Sequence, residues 1–99
     1  MEATDVVAGT TVRITYRAGR LSYTDATEIA HKVSTAAPSR NYLVEFEQTE
    51  DTTTAALARL VVLRGRLLKS GSDLHILGLH GRARDVYEIC HLEQLLPQQ

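Results

Sequence analysis

The residues best suited to chemistry are three consecutive threonines, Thr52, Thr53 and Thr54. They follow Glu50 and Asp51 and precede Ala55-Ala56-Leu57-Ala58-Arg59-Leu60. Threonine is disfavoured inside a helix, but its hydroxyl accepts a hydrogen bond from the free N–H groups at a helix start. The triplet therefore marks the point where a loop becomes a helix. One hydroxyl is needed as the cap. Any other stands beside unpaired N–H groups and the positive end of the helix dipole, where an anion is favoured or a phosphoryl group can be accepted. A phosphothreonine there carries a charge of about −1.5 to −2. The dipole would tolerate it, while it would enlarge the negative field of Glu45, Glu47, Glu50 and Asp51. A partner docked on this surface would then meet like-charge repulsion.

Other chemistries find less in the sequence. None of the four histidines, His31, His75, His80 and His91, makes a close helical pair with another histidine, a cysteine or a carboxylate at metal-ligand spacing. His31 is expected at the surface, and Cys90 lies on an apolar stripe and reads as a small core residue. Glycine-rich nucleotide fingerprints are absent, and no nucleophile–base–orienter set can be read from spacing. The expectation is a protein without catalysis, metal or cofactor.

The elements that must position the threonines fit in one domain, residues 1–99. Val6-Val7 reads as an edge strand. Residues 11–17 alternate, with Val12, Ile14 and Tyr16 on one face, as a half-buried strand does. Ala18-Gly19 reads as a hairpin turn into a short strand over residues 20–23. A helix then starts at Thr24 or Asp25, with Asp25 as cap and Glu28 completing a capping box, and runs to Pro38. Residues 42–46 are β-rich and read as a central strand. The long helix spans residues 54–70. Leu57, Leu60, Val61, Leu67 and Leu68 share its apolar arc, with Leu63 at the edge. Arg64 falls inside the arc, its guanidinium expected to snorkel out. Ser70-Gly71-Ser72 stops that helix. Residues 74–79 are nearly continuously apolar and read as an interior strand, and a last helix over residues 82–90 carries Ala83, Val86, Tyr87 and Cys90 on one stripe. Leu92, Leu95 and Leu96 close the fold. The order β-β-α-β-α-β-α predicts an α/β fold with parallel neighbours in the sheet.

Bulk properties set the remaining bounds. Net charge is −1, which gives no electrostatic case for nucleic acid. The apolar runs are too short to span a bilayer. Met1-Glu2-Ala3-Thr4-Asp5 lacks the basic and apolar regions of a signal peptide, and one cysteine makes no disulfide framework, so a reducing cytoplasm is the expected location. Charge is uneven: residues 40–51 are acidic, while Arg59, Arg64, Arg66 and Lys69 follow without an acid among them.

Several strings, in order, resemble a STAS domain, the fold of bacterial anti-sigma factor antagonists. Gly19-Arg20-Leu21-Ser22 is similar to that family's "G-x-L-D", with Ser22 in place of the Asp. Val44-Glu45-Phe46 is similar to its hydrophobic-Asp-hydrophobic strand, and Ala56-Leu57-Ala58-Arg59-Leu60 to its "G-L-G-x-L". Residues 71–79 look like its turn and fourth strand, and residues 86–95 like its C-terminal helix. The resemblance covers residues 11–96. It implies a mixed sheet of about four to five strands with three or more helices packed on it. It also implies partner switching, in which a hydroxyl at the start of the second helix is phosphorylated by a partner kinase. The gap-free register places the acceptor at Thr54 and Thr53 at the family's Asp. A literal Asp-Thr match points to Thr52 instead. The partner-binding residues implied are Asp51, Ala55, Ala58, Arg59, Val62 and Arg66. The partners implied are an anti-sigma factor or serine/threonine kinase of the histidine-kinase-like ATPase type, a PP2C-type phosphatase, or a second copy of the chain. The alternative is a constitutive STAS scaffold or the small cytoplasmic subunit of a transporter complex, without phosphorylation.

Overall fold

The computed structural model describes residues 3–8, 11–36 and 40–99, the first of these segments through its backbone alone. The elements are β1 (Ala3–Ala8), β2 (Thr11–Tyr16), β3 (Arg20–Leu21), α1 (Tyr23–Thr35), β4 (Asn41–Phe46), β5 (Asp51–Thr52), α2 (Thr54–Lys69), β6 (Asp73–Leu77) and α3 (Gly81–Ile89). This is an α/β fold. Its main sheet has the order β1-β2-β4-β6, and β3 with β5 makes a separate two-stranded ribbon. β1 runs antiparallel to β2, while β2–β4, β4–β6 and β3–β5 are parallel.

Register aligns the core. Val12 lies opposite Tyr42, and Tyr42 opposite Leu74. Ile14, Val44 and Ile76 form the next row, and Tyr16 faces Phe46. All of these side chains are buried, as the alternation of residues 11–17 predicts. They join one core with Ala26, Ile29, Ala30 and Val33 of α1 and Ala56, Leu57, Leu60 and Leu63 of α2. The Tyr16 and Phe46 rings meet edge-on with centroids 5.9 Å apart. On the opposite face Arg13 of β2 pairs with Glu45 of β4 at 2.8 Å.

Two local expectations shift. Ala18-Gly19 is not a hairpin turn. Residues 20–21 run on to pair with β5, because the Gly19 carbonyl accepts N–H bonds from Glu50 (2.9 Å) and Asp51 (3.2 Å), and the Tyr16 hydroxyl donates to the Arg20 carbonyl. The cap of α1 is Ser22, not Asp25. The Ser22 hydroxyl accepts from the Asp25 N–H at 3.1 Å and the Asp25 carboxylate takes the Ser22 N–H in return, so Asp25 is the reciprocal partner and Tyr23 joins the helix. Burial raises the Asp25 carboxyl pKa, but donors from Ser22 and Tyr16 outweigh it and the net shift is downward. The expected stop at Pro38 lies outside the described residues.

The long helix also differs in detail. Its core-facing arc is centred on Ala56, Leu60 and Leu63, which buries Leu63 and leaves Leu68 exposed at the margin of the last turn. Arg64 does not snorkel into solvent. Its Nε donates to Asp73 Oδ1 at 2.8 Å, and its Nη1 donates to the Gln94 (3.1 Å) and Leu95 (3.3 Å) carbonyls. The stem stays in the apolar arc because the start of β6 supplies a carboxylate within reach. α2 ends in a Schellman turn. Gly71 takes φ +83°, its N–H reaches the Leu68 carbonyl, and the Ser72 N–H reaches the Leu67 carbonyl.

β6 is not interior. It ends the hydrogen-bonded order, and its burial alternates: Leu74 and Ile76 are buried, His75 and Leu77 half-buried. Residues 97–99 lie along its outer edge, where the Ile76 N–H donates to the Pro97 carbonyl and the Gln99 N–H to the Ile76 carbonyl, both at 2.9 Å. Of the closing leucines, Leu92 and Leu96 are buried and Leu95 is exposed.

Gly78 has φ +91°, and a Cβ there would sit 2.3 Å from the Phe46 carbonyl oxygen. Gly78→Ala should therefore destabilise by about 2–3 kcal/mol in urea titration. Gly65, in α2, has open space around a built Cβ, and Gly65→Ala should stabilise by about 0.5–1 kcal/mol. A third prediction concerns pH. Partial burial raises the Asp73 carboxyl pKa, but the Arg64 hydrogen bond, the Leu74 N–H and the nearby Arg64 and His75 charges outweigh it and hold it below the usual carboxylate range. A depressed folded pKa gives stability that is present above the unfolded value of about 3.9 and is lost as pH falls through the folded value. Asp73→Asn should cost roughly 1–2 kcal/mol at pH 7, and the deficit should shrink in denaturant titrations run progressively below pH 4.

Candidate functional site

The threonine turn is held from two sides before α2 begins. On one side, the loop leading into β5 is stitched to residues 18–21. The buried Thr49 hydroxyl donates to the Ala18 carbonyl at 2.8 Å, and β5 pairs with β3. On the other side lies the start of α3, where the His80 N–H donates to the Thr49 carbonyl (3.1 Å) and the Ala83 N–H to the Glu50 carbonyl (2.9 Å). Both flanks are backbone-satisfied, so the direction of α2 is fixed by its entry turn.

Within that turn the three hydroxyls have separate places. Thr52 is 2% exposed, and its Oγ1 donates to the Leu21 carbonyl at 3.0 Å. Thr53 is the N-cap, with its Oγ1 accepting from the Ala56 N–H at 3.1 Å. Thr54 is the first helical residue and is exposed. Two of the hydroxyls are thus used to hold the fold, and the third faces solvent at the positive end of the helix dipole.

Asp51 is half-buried and tied into the fold. Its Oδ1 accepts from the Thr52 N–H at 2.9 Å, and its carboxylate lies 3.9 Å from Arg20 Nε and 3.5 Å from Arg82 Nε. These arginines come from β3 and α3, and no sequence spacing links either to the threonines. They also change the charge reading. Glu45 faces Arg13 at 2.8 Å, and Glu47 faces Arg17 at 3.3 Å, so the acidic segment is opposed by arginines from β2 and the residue that follows it.

Beyond the turn, α2 leaves Ala55, Ala58, Val62 and Arg66 exposed, with Val62 51% exposed. Their spacing places them along one side of the helix. Arg59 is half-buried on the same side, and its Nη1 is shielded from solvent without a hydrogen-bond partner among the described residues. Arg64 is occupied by Asp73, so the positive charge left to this helix comes from Arg59, Arg66 and Lys69. The surface offers small residues for close approach, one exposed valine and flanking cations.

The histidines are scattered. His31, His80 and His91 are exposed. His75 is half-buried, 3.7 Å from the Asp73 carboxylate. Among the described residues no three His, Cys, Asp or Glu side chains converge as metal ligands would. Cys90 is partly buried and packs against the core. No helix among the described residues is long and apolar enough to cross a membrane.

The three hydroxyls should separate in stability measurements. Thr53→Ala should cost about 1 kcal/mol as a lost cap. Thr52→Val should cost roughly 1 kcal/mol, because the buried Leu21 carbonyl loses its donor. Thr54→Ala should stay within about 0.5 kcal/mol of the parent in urea titration. A scan of the chain against protein-family models finds no match, and neither does a search of curated proteins.

Proposed function

We propose that this chain is a STAS-like, non-catalytic interaction domain that binds a protein partner through the exposed side of α2, with Thr54 as its phosphorylation switch. The reading starts from the family resemblance. Of the three adjacent threonines, only Thr54 is exposed, and it opens the helix whose outward side carries Ala55, Ala58, Val62 and Arg66. A residue that both starts a docking surface and contributes little to the fold can gain a phosphate without unfolding the domain. The partner class is an anti-sigma factor or serine/threonine kinase of the histidine-kinase-like ATPase type. A phosphorylated Thr54 would present about −1.5 to −2 charge at the edge of that contact and release it.

A second reading keeps the docking side and drops the switch. It is favoured by Thr53, which stands where the family carries an Asp and is used here as the helix cap. The chain is then a constitutive scaffold or the small subunit of a transporter complex.

Capture of partners on the purified chain, followed by incubation with the captured ATPase and ATP, separates the two. The switch reading expects a mass gain of one phosphate that Thr54→Ala abolishes and Thr52→Ala retains. Capture of a transporter ATPase with no mass gain favours the second reading. Under either, Val62→Asp should weaken the captured complex by about tenfold or more in calorimetry while leaving the urea midpoint near the parent value.

A further inference from the structure

Six arginines of the chain lie against acids. Arg13, Arg17, Arg20, Arg64, Arg82 and Arg84 each come within 3.9 Å of a carboxylate. The outward side of α2 departs from this pattern. No residue of the helix is acidic, and Arg59, Arg66 and Lys69 make no ion pair among the described residues. Arg66 and Lys69 lie in the last turn, where the negative end of the helix dipole favours a cation. The dipole accounts for these two. It does not account for Arg59, which stands in the second turn.

Arg59 is half-buried, and its Nη1 is shielded from solvent with no acceptor among the described residues. A charged N–H group withdrawn from water and left unpaired is costly. No bond among the described residues holds the guanidinium in place, so it can turn outward to an acceptor brought from outside. The surface around it permits close approach. Ala55 and Ala58 are small, and Val62 is exposed between Arg59 and Arg66. On a helix that spacing puts the two arginines on one side, about 10 Å apart along the axis. Small residues at the contact let a second helix axis come within about 8–10 Å. The arginine fork matches a carboxylate in two-point geometry. Net charge is −1, and Glu50 and Asp51 stand before the same helix, which disfavours a nucleic acid or an anionic bilayer laid along it.

We propose that the partner of this side of α2 is an acidic protein helix, whose carboxylates two turns apart meet Arg59 and Arg66 and whose apolar residue between them rests on Val62. This deepens the α2 docking proposed above and rests on it for the surface, without using Thr54. The isotope-labelled full chain is titrated by NMR with an alanine-based helical peptide that carries two glutamates two turns apart and a leucine between them, and with its glutamine counterpart. The glutamate peptide should shift the amides of Ala58, Arg59, Val62 and Arg66. It should bind at least about tenfold tighter than the glutamine peptide and weaken as salt is raised. Arg59→Met keeps an apolar stem and removes the unpaired charge. It should weaken the glutamate peptide by about tenfold and leave the urea midpoint at or above the parent value, a combination that a residue kept for the fold would not give. Arg84→Gln, whose partner is Glu88 on α3, should leave binding unchanged. Equal binding of the two peptides, or unchanged binding in Arg59→Met, would overturn the proposal. So would a DNA duplex or a phosphatidylserine vesicle that shifts the same amides more strongly than the glutamate peptide. If the glutamate peptide fails while Val62→Asp still weakens the captured complex, the acidic helix is overturned and the docking side stands. If the peptide binds as expected while Val62→Asp leaves the captured complex intact, the captured partner docks elsewhere and the acidic-helix site stands.

Discussion

The Gly19 carbonyl accepts two backbone N–H groups at once, from Glu50 and Asp51, and the placement of α2 depends on that junction. Without it residues 20–21 would be free to fold back on β2. With it they form a parallel ribbon with residues 51–52, the Thr49 hydroxyl is drawn inside, and the polypeptide reaches Thr53 already pointed along the helix. The α3 start closes the other side through the Thr49 and Glu50 carbonyls. A turn carrying two acids and three threonines would ordinarily be a solvated loop. Here its backbone groups are spoken for by neighbours, and an exposed threonine stands on a rigid base.

Much of this was legible in the residues, and the limits have physical causes. Residues 11–17 and 42–46 announce themselves because one face of each strand is buried, and burial imposes a period of two. Ala26, Ile29, Ala30 and Val33 announce α1 by the same logic at a helical period. The threonine triplet correctly marked a helix start, since a cap is a local interaction. Where the deciding contact is distant in sequence, local composition misleads. The Ala18-Gly19 turn has hairpin composition, and only its bonds to residues 50–51 send the chain elsewhere. Residues 74–79 look interior because their outer edge is covered, but by three residues of the same chain rather than by another strand. Arg20 and Arg82 reach Asp51 from elements distant in sequence, and no spacing rule finds them.

Arg64 shows how a single side chain can join elements whose order in the chain keeps them apart. Its stem lies in the apolar arc of α2, and its guanidinium meets the first residue of β6 and two carbonyls beyond α3. A cation in such a place is favourable because each of its three nitrogens finds an oxygen. Removing one partner would leave the other charge poorly solvated. The cost is local to that junction, and the outward side of α2 keeps its shape and its other cations.

The parallel pairing of the sheet also governs how the chain must reach this state. Thr11 pairs with Asn41, and Asn41 with Asp73, so neither central contact is available to a growing hairpin. Each requires a helix-containing crossover to close first, and loop closure precedes any gain from the ladder. Among the described elements, β1 with β2 is the only neighbouring pair in the main sheet close together in sequence. The pairing of β4 on both sides therefore requires the crossovers that carry α1 and α2 to be closed. The core rows around Ile29, Val44 and Leu60 and the braces of the threonine turn are alike in joining residues distant in sequence.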